Sequence, residues 1–254
     1  MILLDHRLDR TLVIGAPPAA VFRYFTDPAR WAAWWGAGST IDPRPGGRVF
    51  VRYPEGTEAS GEIVEIDAPN VIVFTYGYAT GKPVPPGGSR VTIRLEPVAR
   101  GTRLHLVHEF ADASVRDEHV QGWRYQLSLF ANVVANEVHG DVGALVDAWF
   151  TMWSDSDPTS RLARLSALAV PAVRMHDRFS SVEGLDELTR HIGAAQRFMP
   201  GLRLQRDGTA RHCQGVVVAE WTAAGPDGQS RGRGTNVFIL AADGKVESVT
   251  GFWN

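Results

Sequence analysis

Asp177 is the residue whose placement points most directly to chemistry. In Val173-Arg174-Met175-His176-Asp177-Arg178 the period-two spacing of an extended chain puts Val173, Met175 and Asp177 on one face and Arg174, His176 and Arg178 on the other. A carboxylate on the apolar face loses water on folding. Desolvation raises its pKa towards neutrality, where it serves as a general base or acid, a role contributing roughly 10²–10⁴-fold to rate. The alternative is a structural carboxylate that caps the turn before Phe179-Ser180-Ser181 or pairs with Arg174 or Arg178. Asn236 holds a matching position in Arg231–Leu240, where alternation groups it with Phe238 and Leu240. Its amide is a candidate donor to a developing oxyanion, or else satisfies backbone groups at a strand bend. Together the two residues would support a metal-independent isomerisation or cyclisation.

In the first half, Arg103–Phe110 aligns Leu104, Leu106, His108 and Phe110, so His108 is read as facing the interior. It is either a hydrogen-bonded core residue or, through its near-neutral pKa, a ligand-facing group. His105 points the other way, and the two make no metal pair. Phe74, Tyr76 and Tyr78 share a face, and with Trp35 and Trp123 they form a candidate aromatic lining; core packing is the alternative. The chain has no phosphate-cradling glycine loop, no His-Glu-x-x-His helix and no Gly-x-Ser-x-Gly elbow, and Arg231-Gly232-Arg233-Gly234 lacks a strand-to-helix setting. Neither cofactor nor metal is expected.

Composition narrows the classes further. The single cysteine, Cys213, excludes an intramolecular disulfide, and a net charge of −2 offers no basic footprint for nucleic acid. No apolar run approaches the roughly 18 residues of a membrane span. The opening Met1-Ile2-Leu3-Leu4-Asp5-His6-Arg7 is charged too early for a secretory signal. The expected protein is cytoplasmic, with neither membrane nor nucleic acid as partner.

At 254 residues the chain is long enough for two cores. Residues 1–140 read as a strand, a helix after Ala16-Pro17-Pro18 that runs out near Asp27-Pro28, a crowd of Trp31, Trp34 and Trp35, and then a meander. Its alternating segments are Arg48–Tyr53, Ser60–Ile66, Val71–Tyr78, Arg90–Leu95 and Arg103–Phe110. From Ala113 to Val138 the period becomes helical, with Val120, Trp123, Leu127, Phe130 and Val134 on one face. His139-Gly140-Asp141 supplies a helix end and a new N-cap, which sets the expected boundary. Residues 141–254 reverse the order. Helices at Ala144–Trp153 and Pro158–Ala169, a strand at Pro171–Arg178 and a helix at Val182–Phe198 precede strands near 202–213, 215–224, 231–240 and 246–253. Gly225-Pro226-Asp227-Gly228 and Ala242-Asp243-Gly244-Lys245 join these as hairpins, so an antiparallel sheet is expected.

These segments carry two resemblances. Ala16-Pro17-Pro18-Ala19-Ala20-Val21-Phe22 through Asp27-Pro28, Trp34-Trp35-Gly36, Gly46-Gly47-Arg48-Val49-Phe50, Gly61-Glu62-Ile63-Val64-Glu65-Ile66 and the late Gly122-Trp123 resemble the Hsp90-activator-homology group of the START-like (SRPBCC) superfamily. That implies a helix-grip domain around an apolar cavity, and, as an alternative role, an Hsp90-activator-like interaction module. Val173-Arg174-Met175-His176-Asp177, Glu183-Gly184, Val218-Ala219-Glu220-Trp221-Thr222, Asp243-Gly244-Lys245-Val246 and Gly251-Phe252-Trp253-Asn254 resemble the SnoaL-like branch of the NTF2-like superfamily. That implies a cone-shaped α+β domain, pairing with a second copy through its sheet, and a general-base role at the position of Asp177. Asn236 falls near where the isomerases of that superfamily place a second acid, and Trp149 and Trp153 occupy the region of their helical tyrosine. The fold expected is α+β throughout. The function expected is binding of a small hydrophobic, aromatic or polyketide-like ligand, with Met175, Trp221 and Phe238 lining the second cavity. Metal-independent isomerase or cyclase activity through Asp177 is the alternative.

Overall fold

The computed structural model describes residues 3–254, which divide into two compact units, one running to Ala135 and the other from Asn136 to Asn254. In the first, β1 (His6–Ile14) leads into α1 (Pro18–Phe22), a 3₁₀ turn (Arg23–Phe25) and α2 (Pro28–Trp35). Asp27-Pro28 does not merely end a helix, as the sequence suggested; it starts the next one. The Asp27 carboxylate accepts from Ala29 N at 2.8 Å and Arg30 N at 3.1 Å, while Pro28 fills the first turn, where no N–H is needed. The helix so begun puts Trp31, Trp34 and Trp35 on one buried face.

Six further strands follow: β2 (Thr40–Ile41), β3 (Arg48–Arg52), β4 (Glu58–Asp67), β5 (Val71–Tyr76), β6 (Ser89–Val98) and β7 (Gly101–Phe110). All pair antiparallel, in the order β1-β7-β6-β5-β4-β3-β2. Val91 lies opposite His108 and Ile93 opposite Leu106, so the buried faces of β6 and β7 coincide. The long helix α3 (Ala113–His139) buries Trp123, Gln126, Leu127, Phe130, Ala131 and Val134, a stripe spaced by three and four residues. Its rings meet those of the α1 to α2 segment, with Phe130 at 4.7 Å from Trp34 and 5.1 Å from Phe25 between centroids.

In the second unit, α4 (Val142–Met152) and α5 (Pro158–Leu168) are capped by Asp141 and Asp157, each accepting backbone N–H groups of its own first turn. β8 (Ala169–His176) is followed by β9 (Ser181–Glu183), a short strand where the sequence predicted a helix start. The helix α6 (Leu185–Phe198) begins only after Gly184, whose φ of 83° is one that side chains rarely adopt. Glu183 N donates to Glu187 Oε2 at 2.7 Å, which joins the end of β9 to the first turn of α6. β10 (Arg203–Cys213), β11 (Val216–Ala224), β12 (Ser230–Leu240) and β13 (Val246–Trp253) complete a sheet of order β10-β11-β12-β13-β8-β9. The expected hairpins are antiparallel, but β13 pairs with β8 in parallel, which sets Thr250 beside His176. Trp149, Phe150, Leu165, Val173, Ile192, Val217 and Phe238 form the packed interior.

Candidate functional sites

The first unit holds a cavity of about 1020 Å³ walled by Trp34, Trp35, Tyr53, Tyr76, Tyr78 and Trp123, among others. One wall is a chain of hydrogen bonds whose direction follows from the groups themselves. An indole N–H can only donate, so His108 Nδ1, 2.9 Å from Trp123 Nε1, must accept. The His108 proton is then on Nε2 and is donated to Ser89 Oγ at 2.8 Å, and Ser89 in turn donates to the Tyr76 carbonyl at 2.8 Å. Both ring nitrogens are committed, and the imidazole is fully buried. His108 is thus the hydrogen-bonded core histidine of the two readings, and it offers a ligand no free nitrogen. Burial, assisted by nearby His119, pushes its pKa well below the usual histidine range.

A second chain reaches the cavity from α3. His119 Nδ1 lies 2.7 Å from the Val115 carbonyl and must donate there, which leaves Nε2 to accept from the Tyr78 hydroxyl at 3.2 Å. The hydroxyls of Tyr53 and Tyr76 lie 2.7 Å apart. Burial raises the pKa of both phenols, so they remain neutral. Among the described residues, the buried Nε1 groups of Trp34 and Trp35 have no acceptor. Of the predicted lining, Trp35, Tyr76, His108 and Trp123 border this cavity, whereas Phe74 packs away from it against Trp31 at 5.9 Å. Tyr53 and His119 were not anticipated. The signal existed: Tyr53 continues the alternation of Val49 and Val51, and His119 lies one helical turn before Trp123.

The depressed His108 pKa has a consequence for stability. Below pH 6.5 an unfolded histidine takes up a proton that folded His108 refuses, so acid favours unfolding. Its contribution is complete above that pH and falls by up to about 1.4 kcal/mol per pH unit below it, until the folded-state pKa is reached. Urea midpoints at pH 7.5 and 5.5 should therefore differ, with a smaller difference in His108→Gln. Equal differences in the two proteins would show that His108 titrates as it does in the unfolded chain.

In the second unit a cavity of about 540 Å³ is lined by Phe150, Trp153, Met175, Asp177, Phe179, His191, Trp221, Asn236, Gly251 and Trp253, together with small and aliphatic residues. Asp177 sits one residue past the end of β8 and is half-buried. Its Oδ1 accepts from Phe179 N and Ser180 N at 2.8 Å and from Ser180 Oγ at 2.9 Å. Oδ2 accepts from Trp253 Nε1 at 3.2 Å. The expectation of a raised pKa is therefore corrected. Burial does push the carboxyl up, but four donors outweigh it and the pKa is lowered. Asp177 caps its turn and faces the cavity as well.

Asn236 is oriented by the same logic. Trp221 Nε1 donates at 3.0 Å, so the facing atom must be Oδ1, and the two Nδ2 protons are left without an acceptor among the described residues. Gly251 lies opposite Asn236 on β13. A Cβ there would sit 3.3 Å from Asn236 Oδ1 and 4.0 Å from Asp177 Oδ2, so the two polar groups flank one small volume kept open by the absence of a side chain. Gly234 plays a related part: a Cβ there would come within 2.6 Å of the Trp221 ring, so only glycine lets that indole lie against β12. Met175 and Trp221 line the cavity as expected. Phe238 does not; it is buried at 5.7 Å from Trp149 and 6.5 Å from Phe150. Gly251 and Trp253 were missed as site residues, although alternation from Val249 puts both on the inward face of β13.

Among the described residues no cluster of three metal-ligating side chains occurs, and no helix is long and apolar enough to cross a membrane. No curated protein matches the chain. Solved structures do. A SnoaL-like-family protein of Agrobacterium tumefaciens, described as a candidate isomerase, is 24% identical, covers 44% of this chain and 95% of its own, and has a TM-score of 0.43. A Mesorhizobium loti protein is 20% identical over 50% of this chain and 94% of its own, with a TM-score of 0.44. CalU16 from Micromonospora echinospora is 28% identical over 49% of this chain and 74% of its own, with a TM-score of 0.39. Residues 15–135 match the family model of Activator of Hsp90 ATPase homolog 1-like proteins, and residues 146–249 match that of the SnoaL-like domain. The α+β chain thus carries a START-like domain of the Hsp90-activator-homolog-1-like family followed by an NTF2-like domain of the SnoaL-like family.

Proposed function

We propose that the chain binds small, largely apolar, aromatic or polyketide-like molecules, one in the cavity of each unit. Both domain types are ligand-binding or isomerase-type folds. The observation that carries the reading is that each unit holds a cavity of ligand size, about 1020 Å³ and 540 Å³, with aromatic walls; the second is lined mostly by apolar residues, while the first also carries Glu55, Lys82, Glu118 and Gln126. The Asn236 amide N–H groups favour ligands that carry carbonyl or hydroxyl oxygens.

Native mass spectrometry and calorimetry with hydroxylated and keto polycyclic aromatics test this. The expected stoichiometry is two per chain, falling to one in Gly251→Val. A Cβ at this position already lies 3.2 Å from the Asp177 Cβ and 3.3 Å from Asn236 Oδ1, so valine crowds both side chains and should weaken binding there by about tenfold or more. Failure of the whole panel to bind would overturn the reading. The pair Asp177 and Asn236 also supports isomerisation or cyclisation with Asp177 as base. The four hydrogen bonds on its carboxylate make it a weak base, and binding is therefore the reading we carry forward.

A further inference from the structure

We infer that the cavity of the second unit takes a ligand bearing a protonated amine on an aromatic body, with Asp177 Oδ2 as its counter-charge and the indoles of Trp221 and Trp253 as its walls. The inference rests on the ligand-binding role proposed for this cavity and narrows it to one chemical class.

Asp177 is the only carboxylate among the lining residues, and no lysine or arginine lines the cavity. The nearest arginines in sequence are engaged elsewhere. Arg174 pairs with Glu247 at 3.6 Å, and Arg178 lies over the Phe179 ring at 4.9 Å from its centroid. A carboxylate facing an apolar cavity without a cation gains most from a ligand that supplies one, because the surroundings screen the attraction poorly. The acceptor geometry allows it. Oδ1 is saturated by three donors, while Oδ2 takes only the Trp253 indole and keeps room for another N–H.

The walls favour the same charge. Trp221 and Trp253 meet edge to face at 4.9 Å, and Phe179 meets Trp253 at 5.4 Å; these three rings, each with its π faces, line the same cavity as Asp177. Such faces attract cations and repel anions. The Asn236 amide, whose Oδ1 is held by Trp221 Nε1, lines the same cavity and adds a donor for a neutral oxygen of the ligand. A carboxylate ligand would face Asp177 and be rejected. His191, which also lines the cavity, has its ring edge-on to Trp153 at 5.9 Å.

Three probes of one shape separate the outcomes: 2-naphthylmethylamine, 2-naphthylmethanol and 2-naphthoate, titrated by calorimetry into the full-length protein at pH 7.5. The amine should bind about tenfold tighter than the alcohol, and the naphthoate more weakly than either. In Asp177→Asn, with folding verified by thermal unfolding, the amine-to-alcohol ratio should fall to about one. An amine that binds the parent protein no tighter than the alcohol overturns this inference and leaves the cavity reading standing. Failure of all three to bind overturns both.

Discussion

Replacing His108 with alanine should cost about 3–5 kcal/mol of stability, among the largest losses for a single change outside the packed aromatic core. The imidazole is fully buried and in contact with Phe110, at 3.9 Å between centroids, and with Tyr76 and Trp123. Its removal leaves a void and also strands the Trp123 indole N–H, whose acceptor is His108 Nδ1. His108→Gln, which retains an acceptor oxygen, should recover part of the loss. Urea unfolding of the three proteins at pH 7.5 checks the order: parent, then glutamine, then alanine. If alanine and glutamine proved equally costly, the hydrogen bond to Trp123 would contribute nothing and the loss would be one of volume alone.

The second large effect belongs to Phe238. Because it packs between Trp149 and Phe150 rather than on the cavity wall, Phe238→Ala should also lose about 3–5 kcal/mol. Ligand affinity of the protein that remains folded should be close to that of the parent. Trp221→Ala should lose both stability and ligand, because Trp221 is buried and also lines the cavity, where its N–H orients the Asn236 amide. Paired thermal unfolding and calorimetric titration distinguish the two. A Phe238→Ala protein that keeps its stability and loses its ligand would return this side chain to the cavity wall.

The contrast between these residues shows what could be seen in the sequence. Alternation correctly set Leu104, Leu106, His108 and Phe110 on one buried face, because the period of an extended chain is fixed by backbone geometry. Alternation cannot say whether an inward face meets a cavity or a neighbouring side chain. Tyr76 and Phe74 are therefore equivalent by period, yet one lines the cavity and the other packs on Trp31. Asp27-Pro28 was legible only in part: the first helical segment does end before it, but aspartate before proline suits a helix start as well, and the N–H partners that reveal the new helix are not in the pattern. The parallel pairing of β13 with β8 was hidden altogether. It joins segments about seventy residues apart with no turn signal, and it is this pairing that carries Gly251 and Trp253 to Asp177.

The distribution of tryptophan has an optical consequence. Of the eight indoles, four lie in each unit, and each unit holds a closely spaced pair bordering its own cavity. Trp34 and Trp35 are 4.4 Å apart and inclined by 35°, while Trp221 and Trp253 are 4.9 Å apart and inclined by 84°. At such separations the transition dipoles of neighbouring rings couple, and the sign and splitting of the resulting exciton bands depend on the angle between them. The two pairs differ in that angle, so they should give distinguishable bands in circular dichroism. A guest that wedges into either cavity would perturb the bands of the adjacent pair, and the protein would report, without any added label, which of its two chambers had been filled.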